Sequence, residues 1–216
     1  MTRSGKTQRA RFITFEGIEG VGKSTHLKFV AGWLRARGIK LLVTREPGGT
    51  ELADRIRKLL LTPRTQRITP MTELLLMFAA RASHVEQVIR PALNSGCWVL
   101  CDRFTDASYA YQGGGRRIPM REIAALERMV TRGLKPDLTL LLVAPVRVGM
   151  TRVRQRGRRD RFELEQHAFF ERVRRAYLKR AKHEARRMRI IRADASMGTV
   201  RRQILRALEE RVMTWT

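Results

Sequence analysis

Gly17-Ile-Glu-Gly-Val-Gly-Lys23-Ser24 places glycines, a lysine and a hydroxyl at the spacing G-x-x-x-x-G-K-[ST]. Glycine lets the backbone turn so that several N–H groups aim at one set of phosphate oxygens. A helix starting directly behind such a loop adds a partial positive charge. Lys23 can then reach the β and γ phosphates, and the Ser24 hydroxyl can bind Mg2+. Gly17, Ile18, Glu19, Gly20, Val21, Gly22, Lys23, Ser24 and Thr25 are therefore expected to hold a nucleoside triphosphate. The motif is silent on where the phosphoryl group goes.

Two further stretches could serve the same chemistry. "WVLCDR" ends an apolar run in Asp102, where a carboxylate could organise Mg2+ through water, so Ser24 and Asp102 form the expected metal pair. Arg103 beside it would face anionic oxygens; a strand-end cap for Asp102 and a structural ion pair for Arg103 are the plainer alternatives. "QRGRRDRF" carries Arg156, Arg158, Arg159 and Arg161. A mobile arginine loop suits a phosphoryl group whose charge spreads over its oxygens, although a solvated charge run has the same composition. No Ser-His-Asp or paired-carboxylate device accompanies these groups.

The elements that must position them follow from periodicity. "ARFITFEG" (10–17), "IKLLVT" (39–44), "CWVLCD" (97–102), "PDLTLLLVAP" (136–145) and "MRIIRAD" (188–194) read as short, mostly apolar strands. Helical spacing predicts helices from Lys23 to Arg37, stopped by Gly38, and from Glu51 to Leu61, broken by Pro63 and Arg64. Thr69-Pro70 reads as an N-cap with proline at N1, opening a largely apolar helix whose Met71 to Val88 stretch fits a core or a subunit interface. Further helices are expected over 119–133, on both sides of "QRGRRDR", and from the Ser196 cap to Val212. Strands alternating with helices give an α/β fold: an open five-stranded parallel sheet with helices on both faces, ligands sitting at the carboxyl ends of the strands. With the phosphate loop, that is a P-loop NTPase fold with an arginine-rich lid at about 152–163, in one domain spanning 12–213 behind a basic, solvated tail at 1–11.

The 216 residues suffice for one sizeable core, and 43% hydrophobic content argues against general disorder. No apolar run is long enough to span a membrane, and the basic start lacks the apolar stretch of a secretory signal, so a cytoplasmic place is expected. Cys97 and Cys101 are too few for a disulfide framework and are expected as two buried thiols on one strand face. The net charge of +25 raises nucleic-acid binding, but of 45 basic residues only eight are lysine, the arginines are dispersed, and aromatics are few. Specific nucleic-acid binding is therefore not the expected use of the charge.

"FITFEGIEGVGKST", "REPGGT", "DRFTDASYAYQGGGR" and "DRFE" occur in an order and spacing that resembles bacterial thymidylate kinases, from about Arg11 to about Val212. "REPGGT" and "AYQGGG" are far more specific than the phosphate loop. The resemblance implies ATP-dependent phosphorylation of dTMP to dTDP with Mg2+, ATP and dTMP as the bound partners, and a homodimer; a kinase for another nucleoside monophosphate is the alternative. It implies that Arg45 and Arg103 grip the acceptor phosphate, that Glu19 meets the sugar hydroxyl, and that Arg81, Ser108, Tyr111 and Gln112 line the nucleoside pocket. The family's catalytic arginine lies either in the phosphate loop, where this chain has Gly20, or in the lid, where Arg154, Arg156 and Arg161 match. The chain thus resembles the lid-arginine type, with Lys23, Asp102 and these arginines as its expected catalytic set. Relatives place phenylalanine four residues before the helix arginine; here Met77 stands there and Phe78 comes three before that arginine on the same helix face, so Phe78 is carried as a candidate and the choice between the two for stacking on the base stays open.

Overall fold

A computed structural model describes residues 9–63, 68–157 and 160–215, without the side chains of Arg156 and of 212–215. Most of the expected tail, Arg64, Arg158 and Arg159 lie outside the described residues. The chain runs β1 (Phe12–Glu16), α1 (Lys23–Arg35), β2 (Leu41–Arg45), α2 (Glu51–Leu61), α3 (Pro70–His84), α4 (Arg90–Asn94), β3 (Trp98–Asp102), α5 (Thr105–Ser108), α6 (Met120–Thr131), β4 (Leu138–Val143), α7 (Val146–Arg156), α8 (His167–His183), β5 (Met188–Arg192) and α9 (Met197–Trp215). Two π-helical turns, Val85–Ile89 and Tyr109–Gly115, prolong α3 and α5.

The five strands form one sheet in the order β2-β3-β1-β4-β5, every described pairing parallel. Strand alternation divides the core. Phe12, Val99 and Cys101 pack with Val85, Ile89 and Phe104, whereas Ile13, Phe15, Trp98 and Leu100 join Val30 and Leu34 of α1 and Ile204 and Leu208 of α9. Both faces are thereby covered by helices, as all-parallel sheets require. β1 lies centrally between β3 and β4, so the loop after it opens where the strand order reverses.

Local signals act as their chemistry predicts. Thr50 and Thr69 cap α2 and α3 by accepting from the N–H groups of Ala53 and Thr72, each at 3.2 Å, and Ser196 accepts from Thr199 N–H ahead of α9. The structure departs from expectation in two places. The long helix does not run straight but passes through a π turn into α4. Cys97 is half-buried and precedes β3, so only Cys101 is a buried thiol. Residues 105–115, between β3 and α6, are helical, and the glycines of "GGG" are packed against α8: a Cβ on Gly114 would lie 2.4 Å from Ala176 Cβ, and one on Gly115 2.5 Å from the Phe169 ring. These glycines are there to let α8 approach the helix closely.

Candidate active site

The phosphate loop leaves β1 with positive φ at Gly17 (136°), Gly20 (72°) and Gly22 (88°), which side chains disfavour. Ile18 and Val21 anchor it with buried side chains, while Ser24 and Thr25 are exposed at the start of α1. Lys23 is buried and its Nζ donates to the carbonyls of Gly17 (2.9 Å) and Ile18 (2.8 Å), inside the loop. Burial and then the Arg103 guanidinium push its pKa down to about 8, against the pull of Asp102, Glu19 and Glu16.

β3 delivers Asp102 and Arg103 next to this loop. Asp102 Oδ1 is buried with no hydrogen-bond partner, an atom that water or a cation would satisfy. Arg103 is held in the left-handed region (φ 69°). Its N–H donates to Phe15 carbonyl at 2.9 Å, and the next N–H, of Phe104, donates to Glu16 Oε1 at 2.8 Å. The Arg103 guanidinium donates to Glu19 Oε1 (2.9 Å), and the Tyr111 hydroxyl lies 2.8 and 2.7 Å from the two Glu19 oxygens. The phosphate loop and the far wall of the site are thus joined through one carboxylate.

Beside it opens a cavity whose free space, counting the solvent at its open mouth, is about 580 Å³. Glu19, Arg81, Arg103, Ser108, Tyr111 and Gln112, all expected there, line it. Arg45 ends β2 opposite Asp102 in register and is largely exposed, near Asp54 at 3.4 Å; it stands at the sheet edge and not in the wall. Arg57 of α2 does line the cavity, donating to Pro47 carbonyl at 2.9 Å. Burial, then repulsion from Arg45 and Arg103, lowers its pKa. Arg57 and Arg103 thus bring two guanidiniums to the cavity wall, with Arg45 close enough to act on Arg57. Arg57 was missed in the sequence because an arginine on a polar helix face looks like any other.

Arg81 is 3% exposed and closes the inner end. Its Nε donates to Glu46 (2.6 Å), and its two terminal nitrogens donate to Ser108 Oγ (3.0 Å) and Phe104 carbonyl (3.1 Å). Each terminal nitrogen carries a second hydrogen. Glu46 also meets His84 Nδ1 at 3.1 Å, and His84 Nε2 meets Thr44 Oγ1 at 2.8 Å, so the arginine is fixed by a buried chain of polar groups.

Two expectations are corrected. Phe78 does not line the cavity: it packs with Leu74, Ile118 and Ile123, its ring 4.6 Å from the Arg81 guanidinium. Met77, four residues before Arg81 and so on its helix face, takes the wall position. Arg161 does not stand ready for a transferring phosphoryl group: its Nε donates to Leu60 carbonyl (2.7 Å) and a terminal nitrogen to Glu73 (2.6 Å). Arg154 is exposed on α7, and the Arg156 side chain lies outside the described residues. Arg152, one turn earlier on α7, approaches Gly20 carbonyl at 3.4 Å. Phe162, which the charge-dominated reading of its stretch passed over, lines the cavity edge-on to Tyr111 at 5.9 Å.

A triphosphate loop that shares a carboxylate with an arginine-rimmed acceptor cavity, at the switch point of a parallel sheet, defines a P-loop kinase acting on a small phosphorylated acceptor. Residues 15–204 match the thymidylate kinase family model. The thymidylate kinase of Chromohalobacter salexigens is 55% identical over 208 residues, covering 95% of this chain and 98% of that one. That of Pseudomonas putida strain GB-1 is 56% identical over 193 residues, covering 89% and 92%. The crystal structure of thymidylate kinase from Ehrlichia chaffeensis superposes with a TM-score of 0.74 at 31% identity, covering 93% of this chain and 98% of that one. The chain belongs to the thymidylate kinase family.

Proposed function

We infer that this chain transfers the γ-phosphoryl group of ATP to dTMP, giving dTDP and ADP. The observation that carries the reading is the Glu19 bridge, which sets the triphosphate loop against the cavity walled by Arg103 and Tyr111. A monophosphate is mostly a dianion at neutral pH, its second pKa being about 6, so it is already nucleophilic and needs no general base. What remains is to bring two polyanions together. Lys23 serves the donor; Arg45, Arg57 and Arg103 serve the acceptor phosphate.

The pocket's inner end suits thymine. The second hydrogens on the Arg81 nitrogens can meet a base carbonyl. Gln112, whose amide nitrogen is taken by Glu73 at 2.8 Å, keeps its carbonyl for a ring N–H. Met77 offers a polarisable thioether to the ring face. The exposed Ser24 hydroxyl and Asp102 Oδ1, which has no hydrogen bond and only the Arg103 guanidinium at 3.9 Å, fit Mg2+, which would neutralise phosphate charge there. Residues 152–163 act as a lid, with Arg154 and Arg156 as its candidates for the transferring group. Leu52, Met71 and Leu75 are exposed on the adjoining helices α2 and α3 and support a homodimer through that face. Among the described residues no helix is long and apolar enough to cross a membrane.

The test is an acceptor panel: ATP, Mg2+ and each of dTMP, dUMP, dCMP, dAMP and dGMP. dTMP is expected to give the highest kcat/KM; a better acceptor among the others would redirect the reading to that nucleotide.

A further inference from the structure

Glu73 sits on α3 one turn before Met77 and two before Arg81, on the helix face that the cavity uses. It is fully buried, which a carboxylate tolerates only with strong partners. It has four points of attachment from three directions. Gln112 Nε2, on the cavity wall, donates to Oε1 at 2.8 Å. Arg116, just past the π-helical turn, donates its Nε at 3.2 Å and places a terminal nitrogen at 3.1 Å. Arg161, beyond α7, donates to Oε2 at 2.6 Å.

Arg161 makes two more bonds. Its Nε donates to Leu60 carbonyl at 2.7 Å and its N–H to Leu61 carbonyl at 2.9 Å. These are orphan carbonyls at the C-terminus of α2, where a cation is favoured. Arg116 reaches the same segment a second time through Glu165 at 2.6 Å. Two arginines and two carboxylates therefore balance, and Phe162 is clasped beneath both guanidiniums at 4.5 and 5.8 Å. Phe162, Asp160 and Leu61 are all cavity wall.

We propose that Glu73 is a positioning residue that docks the segment 160–165 onto the acceptor cavity: one carboxylate fixes Gln112, which faces the acceptor, and Arg161, which carries the side chains closing over it. Arg161 then acts through this anchorage and not on the phosphoryl group. The proposal rests on the dTMP kinase reading. Neither Glu73 nor Arg161 needs to touch substrate. A misplacement of about 1 Å in such a wall can cost on the order of 10²-fold in rate.

The experiment compares wild type with E73Q, R161M, R161K and the double variant E73Q/R161M in full-length protein. It reads kcat and KM for dTMP, and ADP formed per dTDP formed. Arg161→Met is the safer fold, since Glu73 keeps Arg116 and Gln112. R161M is expected to lower kcat/KM for dTMP by about tenfold or more and to raise the ADP-to-dTDP ratio as water enters, with R161K recovering part of both. E73Q should reproduce this pattern, and the double variant should lose no more than the worse single, because both remove one anchorage. An R161M enzyme with wild-type kcat/KM and coupling overturns the proposal. So does a dead R161M beside a normal E73Q, which would return Arg161 to the transferring phosphoryl group, or fully additive losses. Should E73Q not fold, R161M and R161K decide alone. A wild-type enzyme that does not phosphorylate dTMP fails the kinase reading instead, which separates the two.

Discussion

Gly20 of the phosphate loop and Gly149 of α7 meet backbone to backbone. A Cβ on Gly20 would stand 2.0 Å from Gly149 carbonyl oxygen, and one on Gly149 would stand 2.5 Å from Glu19 carbonyl oxygen. The helix that leads to the arginine-rich segment is therefore seated directly on the loop that holds the triphosphate. Gly20 also has φ 72°, so no side chain is accommodated there without moving backbone. The absence of an arginine at position 20 is a packing requirement of this chain.

Gly149→Ala is expected to displace the loop or α7 by several tenths of an ångström. kcat/KM for ATP should fall at least tenfold, for a stability loss of about 1–3 kcal/mol typical of overpacking. Steady-state kinetics with ATP varied, alongside urea denaturation, checks it; unchanged ATP kinetics would mean that the contact is not transmitted to the loop.

Lys23 ties ATP binding to pH. With its folded-state pKa near 8, the unliganded enzyme loses this charge as pH rises through that value. Bound phosphates favour the charged form, so ATP must bring a proton in at alkaline pH. KM for ATP should be level below about pH 8 and rise by up to about tenfold per unit above it. The enzyme should also take up a proton on binding ATP there, measurable by calorimetry in buffers of different ionisation enthalpy. A flat KM up to about pH 9.5 contradicts the assignment.

Arg57→Ala should act on the acceptor and not the donor. Losing one charge-assisted hydrogen bond to phosphate costs about 1.5–3 kcal/mol. KM for dTMP is expected to rise by roughly 10- to 150-fold while KM for ATP stays within about twofold. An equal effect on both substrates would place Arg57 outside the acceptor-phosphate site.

Glu16 makes a pH-dependent contribution to stability. It is fully buried on β1, accepting from Phe104 N–H (2.8 Å) and the Tyr177 hydroxyl (2.7 Å). Burial and then Asp106 push its pKa from 4.5 up to about 8, so the folded protein keeps a proton that the unfolded chain releases. A raised pKa contributes stability that is whole below the unfolded value and is lost as pH rises through the folded one. Between about pH 5 and about pH 8, wild type should lose stability relative to E16Q, which binds no proton. Urea midpoints of the two proteins across that range check it; a constant difference rules it out.

Much of the architecture is legible in the residues. The loop from Gly17 to Thr25 is recognisable because its glycines must adopt positive φ and its lysine must follow at a fixed distance. The caps at Thr50 and Thr69 and the β-rich runs are equally local. They determine five parallel strands, the helices between them, and hence chemistry at the carboxyl end of β1. Arg103, Tyr111 and Gln112 were found through motif resemblance, and each lines the cavity.

Tertiary structure decided the rest, because it concerns which side chains from distant elements face one another. The difference between Met77 and Phe78 is a rotation of about 100° about a helix axis, and only the packing of α3 against Ile118 and Ile123 fixes it. Arg57 gains meaning from Arg45 and Arg103, which converge on it in space. Arg161 sits in a run of like charges whose members are equivalent by composition; a carboxylate 88 positions away claims it. The sequence by itself determined that a triphosphate is held and on what scaffold, since those depend on local backbone geometry. Which arginine fastens the chain was decided by burial, because a buried carboxylate such as Glu73 must take the nearest guanidinium whatever its place in the sequence.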